Sequence, residues 1–196
     1  NGIFYIANMF IQSGVNTFDT VMVAGNAAAA NSDGLVYDAM AAFYTACSSF
    51  IGMNYGAGKR ERIRRSYIIC LLYSCGIGAA LGLLLVWLGP AFLSLFTTDP
   101  AVIEAGMARL TVMGFSYAIS GFMDNAIAGC RGLGKSFIPM IIVISGSCIF
   151  RILWVIFVFG HFGTITSLYL VYAFSWTITA IFETWYFIRC YRRLKI

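Results

Sequence analysis

Long stretches of this sequence carry no charge at all. Only 11% of the 196 residues are charged, against 60% hydrophobic. Eleven of the thirteen Lys and Arg residues fall in three short clusters: Lys59-Arg60-Arg62-Arg64-Arg65, Arg131 with Lys135, and Arg189-Arg192-Arg193-Lys195. A soluble domain needs charge spread over its surface, so that class is excluded. A nucleic-acid face is excluded too, because its basic residues cover a water-exposed surface. The formal net charge of +5 reports the position of loops instead. There is one His, and the six cysteines (Cys47, Cys70, Cys75, Cys130, Cys148 and Cys190) form no CxxC pair. No metal or redox site is expected; the thiols read as small apolar side chains.

What is present is a set of apolar runs long enough to cross a bilayer. About 20 residues at 1.5 Å rise span a hydrocarbon core of roughly 30 Å. Six helical segments are expected, at about 3–25, 35–54, 67–88, 101–130, 137–159 and 164–188. The polar run Asn31-Ser32-Asp33-Gly34 divides the first two, and Gly89-Pro90 ends the third. Asp99 or Thr98 is expected to cap the fourth, with Pro100 in its first turn. Gly76, Gly78, Gly82 and Gly146 suit close helix packing. The predicted fold is an all-α integral membrane bundle of six transmembrane helices. The chain opens at Asn1 without Met and is expected to be a piece of a longer protein.

The basic clusters follow segments two, four and six, and the other connections hold no Lys or Arg. The positive-inside rule then places loops 55–66 and 131–136 and the C-terminus in the cytoplasm. Asp19, Asp33, Asp38, Asp99, Glu104 and His161 fall at or near the outer face. Arg109 lies 22 residues before Arg131, about 33 Å above it, and is expected to snorkel at the outer interface.

Three ionisable residues are left inside the membrane. Asp124 lies roughly 10 Å in from the cytoplasmic face, Glu183 about 9 Å and Arg151 about 21 Å. Such residues are costly in lipid and are functional candidates for that reason. Arg151 stands too high for a direct pair with Asp124. Each acid belongs to a polar stripe at helical spacing. One stripe is Tyr117, Gly121, Asp124, Ala128 and Arg131, with Ser120 beside it; another is Tyr172, Trp176, Thr179, Glu183 and Tyr186. The first segment carries Asn1, Tyr5, Asn8, Gln12, Asn16 and Asp19. A stripe this polar lines a wet cavity or bonds neighbouring helices, and three of them favour a cavity. Asp124, Glu183, Ser120 and Tyr117 are the candidates for cation coupling. Asn8, Gln12, Asn16, Trp176, Thr179 and Arg151 are the candidates for its lining.

Two Gly-rich loops lack the GxxxxGK spacing and the preceding strand of a phosphate-binding loop. Their residues carry a different resemblance. Gly52-Met53-Asn54-Tyr55-Gly56-Ala57-Gly58-Lys59, followed by Glu61-Arg62, resembles the "GQNxGAGKxER" loop of MATE transporters, the multidrug and toxic compound extrusion family. Ala128-Gly129-Cys130-Arg131-Gly132-Leu133-Gly134-Lys135-Ser136 is similar to the family's "GALRGxGxT" signature, and Leu93-Ser94-Leu95-Phe96-Thr97-Thr98-Asp99-Pro100 to its "LSLFTxDP" turn. Pro139 and Arg151-Ile152 also match, and the order along the chain is that of the family.

The resemblance implies that residues 1–196 form the C-terminal lobe, spans seven to twelve, of a two-lobe transporter of twelve helices. It implies a multi-pass protein of the plasma membrane that exports organic cations or drugs by antiport with Na⁺ or H⁺, through alternating access. It implies no other cofactor. The partners would be the lipid bilayer, an amphipathic organic substrate and the missing N-terminal half. Where cation-binding members carry acids on spans seven and ten, this chain has Asn8, Gln12 and Asn16, and Ser120 one turn before Asp124. A lipid or glycan flippase of the same wider superfamily is the alternative within transport. A polytopic membrane enzyme is the alternative class, which the single His and the absence of a DDxxD motif argue against.

Overall fold

The computed structural model describes residues 2–195, with side chains from Tyr5 onward. Every regular element among the described residues is helical. They are α1 (Gly2–Val15), α2 (Thr20–Gly56), α3 (Arg60–Trp87), the short α4 (Gly89–Leu93), α5 (Pro100–Gly132), α6 (Phe137–Phe162) and α7 (Ile165–Arg192). Four of them, α3, α5, α6 and α7, are long and apolar enough to cross a membrane. Large apolar side chains such as Leu72, Trp87, Phe157 and Ile181 stand exposed on the outside of the bundle, as a lipid solvent allows.

The first helix boundary differs from the one read in the sequence. Residues 31–34 do not break the chain but sit inside the 37-residue α2. Their polar groups turn back onto the helix: Asn31 Nδ2 donates to Ala28 O at 3.0 Å and Ser32 Oγ to Ala29 O at 2.7 Å. The break falls at Asn16–Asp19. There Thr17 Oγ1 donates to Gly14 O, and Asp19 Oδ1 caps α2 by accepting from Met22 N at 2.8 Å. Asp99 caps α5 through Ala101 N at 2.9 Å, and Thr164 caps α7 through Ser167 N at 3.2 Å.

The centre of the bundle is α5, packed against α2, α3 and α7. Glycine makes this possible by letting backbones touch. A Cβ added to Gly82 would sit 2.0 Å from Gly114 O, and one added to Gly25 2.6 Å from Gly106 N. Gly76 faces open space instead and joins no contact. α1 and α6 pack on each other and on α7. Two π-helical turns, Ile144–Ile149 and Trp154–Phe159, interrupt α6, with Arg151 on the single α-turn between them. All three basic clusters come together at one end: Arg60 donates to Leu194 O and Arg192 O, and Lys135 shares a cavity with Arg189 and Arg193.

Candidate functional site

Two arginines and a set of oxygens occupy the interior of the bundle. Arg109, on α5, is 5% exposed. Its Nη2 meets Asp33 Oδ2 on α2 at 2.5 Å, and its Nη1 donates to Asn26 Oδ1 at 3.0 Å. Tyr117 Oη donates to the other Asp33 oxygen at 2.6 Å, and Tyr169 Oη donates to Asn26 Oδ1 at 3.1 Å. Asn26 in turn donates to Gln12 Oε1 at 3.4 Å, and Gln12 Nε2 to Asn16 Oδ1 at 2.9 Å. The network thus joins α1, α2, α5 and α7. Arg109 does not snorkel: it is held inward by a buried carboxylate. Removing one partner of such a pair costs about 3–5 kcal/mol.

Arg151, on α6, is 4% exposed and has neutral partners only. Nη1 donates to Asn8 Oδ1 at 3.2 Å and Nε to Ser175 Oγ at 3.3 Å. Its guanidinium lies 4.9 Å from the centre of the Tyr172 ring; Arg109 lies 5.4 Å from the same ring. One aromatic ring therefore serves two cations. Asp33 neutralises the first, and no carboxylate stands within 4 Å of the second among the described residues. Tyr37, one turn after Asp33 on α2, is 41% exposed and marks the open side of this group.

The expected site residues divide between that open side and the packed interior. Asn8, Gln12 and Asn16 are exposed along α1 and turn toward Arg151 and Asn26; Asn1 lies outside the described residues. Asp124 is half-buried and makes no hydrogen bond or ion pair among the described residues. Tyr117 and Ser120 are buried, and Tyr117 is bound to Asp33, not Asp124. Trp176 and Thr179 are buried. Trp176 packs in the core with Tyr117 and Tyr172, and Thr179 Oγ1 faces Ser147 Oγ at 3.0 Å and donates to Ser175 O. The stripe on α7 is consumed by helix packing because α6 lies over it. Glu183 is fully buried, and both carboxylate oxygens lack a hydrogen-bond partner among the described residues. A carboxylate so placed needs a proton or a cation to offset its burial.

Asp33, Asn26, Tyr169 and Tyr37 are the residues that sequence reading left out. A signal for the ion pair was present. Asp33 stands 56 − 33 = 23 residues from the end of α2, and Arg109 stands 132 − 109 = 23 residues from the end of α5. Both helices end at the same basic face, so the two side chains share a depth.

Uncovered apolar flanks, membrane-length helices and a charged interior define a multi-pass membrane protein. The MatE family matches residues 1–157, and the chain belongs to that family. Among solved structures it is similar to a MOP superfamily transporter from Pyrococcus furiosus Vc1 (DSM3638), with a TM-score of 0.88 and 18% identity. That match covers 99% of this chain and 44% of the other, so the chain spans less than half of that transporter's length. No curated protein matches it.

Proposed function

We propose that the chain is one six-helix lobe of a twelve-helix antiporter that exports amphipathic organic compounds, organic cations among them, in exchange for Na⁺ or H⁺. The observation that carries this reading is Asp124: a half-buried carboxylate in a membrane-length helix, with no hydrogen bond or ion pair among the described residues. Such a group is free to take a proton or a metal cation. Glu183, one helix away, is a second candidate, with Ser120 and Tyr117 as neighbouring hydroxyls on α5. The missing N-terminal half supplies the facing wall, and one lobe rocks against the other around the substrate. The basic loops 55–66 and 131–136 and the C-terminus face the cytoplasm, with the protein in the plasma membrane.

A second reading is favoured by Arg151. An uncompensated buried cation suits a cargo with an anionic group, as a lipid or glycan flippase of the wider superfamily would carry. The Pyrococcus furiosus transporter has a binding pocket of reverse polarity that suggests a different function. The test compares full-length wild type, Asp124→Asn and Arg151→Gln in everted vesicles under a Na⁺ or H⁺ gradient. The antiporter reading expects gradient-driven uptake of a cationic dye that Asp124→Asn abolishes. Gradient-independent movement of an anionic lipid analogue, lost in Arg151→Gln, would replace it with the flippase reading.

A further inference from the structure

We propose that the basic end of the bundle holds a binding site for the headgroup of an anionic phospholipid. A cavity of 550 Å³ opens there between the loop after α5 and the end of α7. Lys135, Arg189, Arg193 and Lys195 line it, with Tyr55 and Tyr186. Among the described residues, the lining holds no carboxylate side chain. Four cations around one concavity repel one another, and a phosphate group relieves that repulsion with charge-assisted hydrogen bonds.

The site is built, not a loose tail. Arg60 Nη1 donates to Leu194 O at 3.3 Å and Nη2 to Arg192 O at 3.4 Å, and its guanidinium lies 5.1 Å from the centre of the Tyr191 ring. Tyr191 Oη closes the loop by donating to Arg60 O. The chain end that carries Arg193 and Lys195 is thereby fixed against α3. Gly134, with φ of +74°, turns the backbone so that Lys135 reaches the same cavity.

A lipid is favoured over a free anion because the site continues onto the membrane face. Arg189 and Arg193 also line a second cavity of 270 Å³ with Trp185 and Ile188. Trp185 and Ile188 are exposed, and Ile181 and Phe182 extend the same apolar surface along α7 away from the basic end. A headgroup among the cations leaves an acyl chain lying on this surface, with Trp185 at the interface level where such residues gather. Basic pockets between membrane helices bind anionic headgroups in this way.

The test uses the full-length transporter, purified in detergent and exposed to equimolar phosphatidylglycerol and phosphatidylcholine, with retained lipid read by native mass spectrometry. Wild type should keep phosphatidylglycerol several-fold over phosphatidylcholine. Lys135→Gln/Arg189→Gln/Arg193→Gln should lose that preference, and the exposed Arg189→Gln alone should reduce it. Arg62→Gln/Arg64→Gln/Arg65→Gln removes the same charge outside the cavity and should keep it. Equal retention of both lipids by wild type would overturn the proposal, as would equal loss in both triple variants, which would reduce it to net charge. Displacement of the lipid by millimolar inorganic phosphate would overturn the lipid assignment and leave a soluble-anion site.

Discussion

Replacing Asp33 with Asn removes one charge and almost no volume from the centre of the bundle. Arg109 then keeps Asn26 Oδ1 and the faces of Tyr169 and Tyr172 but loses its counter-ion. Two unit charges about 4 Å apart attract by about 4 kcal/mol at an effective dielectric constant of 20. Tyr117 exchanges a carboxylate acceptor for an amide oxygen, which costs about 1 kcal/mol more. The Asp33 side chain is 20% exposed, so water recovers part of this, and the expected loss is about 3 kcal/mol. The double variant Asp33→Leu/Arg109→Met removes both charges at once. Because a buried pair is roughly balanced by its own desolvation, that variant should lie within about 1 kcal/mol of wild type. The assay is equilibrium unfolding of the purified full-length protein in mixed micelles, followed by Trp fluorescence. Asp33→Asn within about 0.5 kcal/mol of wild type would refute the reasoning, since that is the scale of an unremarkable surface change. A double variant as unstable as the sum of Asp33→Leu and Arg109→Met would refute it equally, because coupled partners do not add.

Asp124→Asn in the full-length protein should abolish ion-driven dye efflux while leaving the amount in the membrane unchanged; efflux at the wild-type rate would make Asp124 a structural residue. Gly82→Ala places a methyl group 2.0 Å from Gly114 O, so α3 must shift; it should destabilise by roughly 1–3 kcal/mol or more in the same unfolding assay. Gly76→Ala, on the same helix but facing open space, should be neutral to within about 0.5 kcal/mol. The 196-residue chain expressed alone should insert yet export no dye, and co-expression with the upstream half should restore export; export by the chain alone would point to a self-sufficient pair of lobes.

The helices with strong signals were legible. Gly-Pro after α3, the Asp99-Pro100 cap and the Gly-rich basic loops mark boundaries through local chemistry, and the observed ends fall close to those expected for α5 and α6. The α1–α2 boundary was not. Asn16–Asp19 and Asn31–Gly34 are both polar runs of four, and only packing decides between them. At 31–34 a buried Arg109 gives Asp33 a reason to be inside; at 16–19 nothing does. That Arg151 makes no ion pair with Asp124 was readable from residue counts. The fate of Trp176 and Thr179 was not, because a polar stripe looks the same whether another helix or water covers it. Arg109 was misread for a related reason: its partner stands 76 residues away, and no window along the chain contains both.

The two π-helical turns in α6 set the aim of Arg151 by counting residues instead of choosing them. A π-turn holds more residues than the 3.6 of an α-turn, so each one accommodates an extra residue. Deleting a single residue between 144 and 149 would let that turn close to α-geometry with little change of direction after it, leaving Arg151 against Asn8, Ser175 and Tyr172; the same deletion in the α-helical stretch 137–143 would swing Arg151 by about 100° around the helix. The wide turn can thus absorb a change of length that an α-turn would pass on to the buried cation as a change of aim.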